Sequence, residues 1–171
     1  PASPASLPRG ASGRPASLFG GVPLPRRTTI RRMGDDVVDG TPLTPVDTAW
    51  LHMEDPTNLM MVTGIYVFEG PVDFARLKET VRVRMVERFP RLKHRVASGA
   101  VGARWVADPK FDLDAHVHRI ALPSPGDGRA LRDTVSDLMS APLDFTKPLW
   151  QLHLLESYGE GSVVLLRIHH C

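Results

Sequence analysis

The sequence predicts an α/β (α+β) domain over residues 41–171, a mixed sheet carrying helices, preceded by a tail over residues 1–40. Three observations predict it. Two stretches repeat apolar residues at intervals of three and four, the period of a helix with one buried face. Between and after them lie short runs rich in β-branched and aromatic residues, each bounded by Gly, Pro, Asp or Ser. The last run, Ser162 to Ile168, is nearly all apolar and suits a central strand covered on both faces.

The tail is set apart by composition. Eight of the 16 prolines fall between Pro1 and Pro45, among many Gly, Ala and Ser, with no helical or strand period. It lacks the apolar core of a secretory signal, and Met33 stands near its end as a candidate natural start. Residues 1–34 carry six arginines and no acid, so the rest of the chain is net −4 against a total of +2. The sequence pI of 9.1 therefore reports the tail. No nucleic-acid partner is expected, because a basic segment without a recognition motif is only the generic footprint. Those arginines have two readings, a solvated tail, which is favoured, or a peripheral contact with an anionic membrane or a lipid droplet.

The elements follow in order. Thr44-Pro45-Val46-Asp47 announces a helix, with Thr as N-cap, Pro at the first helical position and an acid two further on, running through Trp50 and Leu51 to about Met53. Met61 to Phe68 reads as a buried strand closed by Glu69-Gly70-Pro71. From Asp73, a second N-cap, Phe74, Leu77, Val81, Met85 and Phe89 define the inner face of a helix that stops at Pro90. Short strands are expected at Lys93 to Val96, Ala103 to Val106 and His116 to Ile120, with their order open. A helix over Gly128 to Ser140 points Leu131, Val135, Leu138 and Met139 inward, and Pro142 ends it. Two strands close the chain: Trp150 to Leu155, and the apolar run that delivers His169 and His170.

Several chemistries are excluded or weakened at once. The longest aliphatic run is Val163-Val164-Leu165-Leu166, far short of the ~20 apolar residues a membrane-spanning helix needs. A single cysteine, Cys171, allows no intrachain disulfide and points to a reducing, cytoplasmic compartment. Beside His170 it suggests an activated thiol, but such activation depends on partners placed in space rather than in sequence. His116 and His118 would share one strand face, yet with His169, His170 and Cys171 they match no zinc spacing, so no metal is expected.

Adjacent histidines at a strand end face opposite sides, so only one can enter a given cavity. Two readings follow: a hydrogen-bonding pair, or a neutral imidazole acting as general base, with an ordinary pKa of about 6.5.

Ile168-His169-His170-Cys171 resembles the opening of the HHxxxDG motif of coenzyme-A-dependent acyltransferases. Pro142-Leu143-Asp144-Phe145-Thr146-Lys147-Pro148-Leu149-Trp150 is similar to the PLD…PLW segment that precedes that motif in the bacterial wax ester synthase/diacylglycerol acyltransferase family. Leu43 to Trp50 and Arg88-Phe89-Pro90-Arg91-Leu92 resemble the same family, so the likeness runs from about residue 42 to 171 in order. It implies a chloramphenicol acetyltransferase-like fold, of which residues 41–171 form the first of two similar halves. It assigns His170 as general base and His169 as its supporting neighbour. Trp150 is a candidate for lining an acyl-chain tunnel, with core packing as its other role.

The implied reaction moves a long acyl group from acyl-coenzyme A (acyl-CoA), a co-substrate with no bound cofactor, to diacylglycerol or a long-chain alcohol. The motif's Asp and Gly would fall beyond Cys171. The implied partner is therefore the C-terminal half of the same protein, in the same polypeptide or as a separate chain, and this chain alone is expected to be inactive. Carrier-protein-dependent acyltransferases and condensation domains share the motif and form the alternative, as does a degenerate, non-catalytic module.

Overall fold

A computed structural model describes residues 40–99 and 102–171. The tail, Met33 and the arginine-based membrane contact lie outside the described residues. The element order is β1 (Thr41–Pro42), α1 (Pro45–Met53), β2 (Met61–Phe68), α2 (Phe74–Val81), β3 (His94–Gly99), β4 (Gly102–Ala107), β5 (Val117–Ala121), α3 (Gly128–Ser140), β6 (Trp150–Tyr158) and β7 (Gly161–His169). A four-stranded sheet runs β2-β7-β6-β5 and a three-stranded sheet runs β1-β4-β3.

β7 sits inside the larger sheet, antiparallel to β2 on one side and to β6 on the other. Leu154, Leu155, Val163 and Leu165 are wholly shielded from solvent, and full burial of such side chains stabilises by about 1.5–3 kcal/mol each. Strand alternation sorts the core into two layers. Trp150, Leu152, Leu154 and Val164 pack with Val81 of α2 and Val86 on one face. Leu155, Val163 and Leu165 pack with Val135 of α3 on the other. β5 pairs with β6 in parallel, so α3 is the crossover that a parallel pair requires. The tight β6–β7 connection turns through Gly159 at φ 54°. At Gly161 the backbone passes so close to the Phe68 carbonyl that a Cβ would collide with it.

Helix α1 begins where the sequence places it: the Asp47 N–H donates to Thr44 Oγ1 at 3.1 Å, and the Thr44 N–H donates to Asp47 Oδ2 at 3.3 Å. Helix α3 keeps its expected bounds, with Asp127 accepting from the Arg129 and Ala130 N–H groups at 2.9 Å.

Four expectations are corrected. β2 is not buried: it is an edge strand, and Ile65, Tyr66, Val67 and Phe68 are exposed. A β-branched, aromatic run reports strand propensity but not how many neighbours the strand has. The helix from Asp73 is not uniform, since α2 gives way to a π-helical turn at Arg82–Val86 in which the Glu87 N–H reaches the Arg82 carbonyl at 2.9 Å. The widened turn breaks the 3.6-residue period, and Phe89 ends exposed rather than inward. Met139 is also exposed, because it lies beside rather than beneath the α3 stripe that carries Val135. His116 and His118 do not share a face. His116 precedes β5 with ψ −24°, which breaks the extended alternation. It stacks on Trp150 at 4.6 Å while His118 stacks on His153 at 5.0 Å on the other side of the sheet.

His153 has a consequence for stability. It is 5% exposed, neither ring nitrogen has a hydrogen-bond partner among the described residues, and burial pushes its pKa down to about 4. Nearby His118 and Arg167 act in the same direction. A histidine whose folded pKa is depressed contributes no penalty above its unfolded pKa of about 6.5 and costs increasing stability as pH falls toward the folded value. The loss on reaching about pH 4 is on the order of 3 kcal/mol. His153→Phe is expected to make the fall of the urea midpoint between neutral and mildly acidic pH shallower. An unchanged fall would contradict this account of His153.

Candidate active site

The site is built where the end of β7 meets α1 and the loop between α3 and β6. Because β7 alternates, Arg167 and His169 emerge on the α3 face, and Ile168 packs with Trp150 on the α2 face. β7 itself ends at His169, so His170 lies one residue past the strand, where ladder alternation no longer fixes its ring.

Arg167 is buried at 2% exposure. Its guanidinium donates to Gln151 Oε1 at 3.0 Å and to the Ala141 carbonyl, which ties the exit of α3 to the sheet. Burial lowers its pKa from the ordinary arginine value. The loop that follows is a folded turn. Asp144 Oδ1 accepts from the Thr146 N–H at 2.9 Å and its hydroxyl at 2.6 Å, and Lys147 Nζ donates to Oδ2 at 2.6 Å. The Lys147 ammonium and the Thr146 donors hold the Asp144 carboxyl down at about 2. Leu143 and Leu149 anchor the two sides of this turn in a cluster with Leu43, Val96 and Trp105. Phe145 between them meets the His169 ring edge-on at 5.7 Å.

His169 is 3% exposed and held on both sides. The Cys171 N–H donates to its Nδ1 at 3.1 Å, so in the neutral ring the proton belongs on Nε2. Nε2 faces Glu54 Oε2 at 3.5 Å, an electrostatic contact rather than an aligned hydrogen bond. Burial lowers the His169 pKa while the Glu54 carboxylate opposes the shift. Glu54 is fixed in turn by accepting from the Met60 N–H. The sequence reading missed Glu54. It stands just past the end of α1 with no periodic or motif signal of its own, and only the fold brings it to His169.

His170 is the opposite case. Its backbone N–H donates to the Met60 carbonyl at 2.9 Å, while its ring is exposed and stacked on the Trp50 indole, 4.5 Å between centroids and 19° from parallel. A cleft of about 620 Å³ opens beside the Glu54–Phe145 side of the site, lined also by Leu51, Val96 and Ala103. That volume lies in the range of small-molecule sites. Trp150 lies apart from the histidine pair, at 2% exposure in the α2-face core, with its Nε1–H donating to the Leu92 carbonyl at 2.8 Å. Its position is that of a packing residue. Cys171 packs against the Leu43 cluster, and burial, reinforced by the Asp47 carboxylate, pushes its thiol up to about 11. A thiol so shifted is a poor source of thiolate at neutral pH.

Comparison with known proteins bears on the family and the fold. Residues 43–171 match the wax ester synthase/diacylglycerol acyltransferase catalytic domain. A probable diacylglycerol O-acyltransferase of Mycobacterium tuberculosis is 36% identical over 136 residues, which is 75% of this chain and 29% of the relative. A second from the same organism is 32% identical, covering 76% of this chain and 50% of the relative. Among solved structures, the wax ester synthase/diacylglycerol acyltransferase of Marinobacter aquaeolei VT8 superposes with a TM-score of 0.66 at 32% identity, over 76% of this chain and 33% of that one. The starter condensation domain of rhizomide synthetase, solved with C8-CoA, superposes at 0.59 over 76% of this chain and 30% of that one, with 18% identity, a likeness of fold alone. The fold is that of the chloramphenicol acetyltransferase-like acyltransferases, and the chain spans between about a third and half of the length of these wax ester synthase and diacylglycerol acyltransferase relatives. The chain belongs to the wax ester synthase/diacylglycerol acyltransferase family.

Proposed function

We propose that this chain is the base-bearing N-terminal part of an acyl-CoA-dependent O-acyltransferase that moves a long-chain acyl group to diacylglycerol or a long-chain alcohol. One observation carries the assignment of the base. Of the adjacent histidines, His169 is buried, with one ring nitrogen accepting from the Cys171 backbone and the other turned to Glu54, whereas the His170 ring is exposed. Only His170 can meet an acceptor hydroxyl.

In the proposed step His170 takes the hydroxyl proton as the alcohol oxygen attacks the thioester carbonyl carbon of acyl-CoA. The carbon–sulfur bond breaks, and the imidazolium returns the proton to the departing thiolate. Ester and free coenzyme A are the products, with no covalent acyl-enzyme. His169 supports this by position rather than by proton transfer: its contacts with Glu54, Phe145 and the Cys171 N–H fix the backbone from which His170 projects. Acyl-CoA enters as co-substrate, and the partner is the remainder of the full-length protein. No helix among the described residues is long and apolar enough to cross a membrane.

The experiment is acceptor-dependent release of coenzyme A from palmitoyl-CoA by the full-length protein, with hexadecanol or diacylglycerol. His170→Ala is expected to lower release by ~10²-fold or more, the contribution of a positioned general base. Release unchanged in that variant would rule out His170 as the base. Cys171→Ser is expected to retain activity, and its loss would bring thiol chemistry back.

A further inference from the structure

We infer that Trp50 is a positioning residue for His170, a role that rests on the reading of His170 as the base. His170 lies past the last residue of β7, so its ring has lost the strand alternation that orients His169. The backbone is pinned by the 2.9 Å bond to the Met60 carbonyl, which leaves the ring free to turn about its own side-chain bonds. The indole of Trp50 supplies the missing constraint, lying nearly parallel to the imidazole at 4.5 Å.

The stack is not a by-product of core packing. No residue of α1 is fully buried, and Trp50, the largest apolar side chain of that helix, rests on His170 while remaining partly exposed. Trp50 and Glu54 are four residues apart and so share one side of the helix end. Trp50 meets His170 and Glu54 meets His169, so one short segment grips consecutive histidines on separate supports. The segment is itself held at both ends, by the Thr44–Asp47 capping pair and by the Met60 N–H on Glu54.

Two consequences follow for the base. A face-stacked ring keeps its edge, and hence its nitrogens, directed away from the indole. Stacking on the broad indole face also limits rotation of the imidazole about its side-chain bonds, since turning would lift the ring off that face. Phenylalanine offers a smaller face of the same kind, and leucine offers none.

The test compares Trp50→Leu, Trp50→Phe and His170→Ala in the full-length protein, by coenzyme A release and by NMR of the protein labelled at histidine carbons. Trp50→Leu is expected to lower kcat by ~10-fold or more, as misorientation of a catalytic group does, with KM for palmitoyl-CoA changed little. Trp50→Phe should recover most of kcat. In Trp50→Leu the His170 Cε1–H resonance should move downfield as the indole ring current is lost, while the His169 resonance stays. Wild-type kcat in Trp50→Leu alongside an inactive His170→Ala would overturn the role of Trp50 and leave the base assignment standing. A stationary His170 resonance, or equal losses in the Leu and Phe variants, would overturn it too. Full activity in His170→Ala would instead remove the base assignment on which the inference rests.

Discussion

The interaction on which the rest depends is the two-sided pairing of β7. Its register is fixed by β2 from Met61↔His169 to Phe68↔Ser162 and by β6 from Trp150↔Ile168 to Tyr158↔Gly161. A slip of one residue would send every side chain of the strand to the opposite face. Arg167 and the wholly buried Leu165 would then exchange faces with their neighbours, leaving a guanidinium without its Gln151 and Ala141 acceptors. Leaving such a group unpaired in the interior costs several kcal/mol. The register that fills the core is thus the one that sets His169 inward and leaves His170 beyond the ladder.

Two neighbouring segments convert that strand end into a site. The loop after α3 is hung from Arg167 at Ala141, stiffened by Asp144 and anchored by Leu143 and Leu149, and its product is Phe145 against His169. On the other side, α1 and the residues up to Met60 bring Glu54 to His169 and Trp50 to His170. The same backbone that closes this segment, at Met60, also accepts the His170 N–H. Along the α3 face Arg167, His153 and His169 are all under a tenth exposed. Desolvation keeps each of the two imidazoles below its ordinary pKa, so both stay neutral at neutral pH.

Local signals in the sequence were read correctly where a local rule governs them. The Thr44–Asp47 cap, the Gly128–Ser140 helix and the apolar β7 run depend on residues within a few positions of one another. What could not be read depends on distant partners. The exposure of β2 follows from its place at a sheet edge, and the parallel pairing of β5 with β6 follows from how α3 packs, neither of which a strand run encodes. The opposed faces of His116 and His118 turn on one non-extended ψ angle. At the site, the histidine pair was legible from its motif, whereas Glu54 and the Trp50 stack arise only when residues more than a hundred positions away are folded against them.

The central claim is that the strand end divides adjacent histidines into an enclosed support and an accessible base. Carbethoxylation of the full-length protein with diethylpyrocarbonate, followed by peptide mass mapping alongside residual activity, measures that division directly. The account predicts that activity falls in step with modification of His170, that acyl-CoA slows both, and that His169 stays unmodified over the same interval. Loss of activity with His170 intact, or modification of His169 at the same rate as His170, would contradict it.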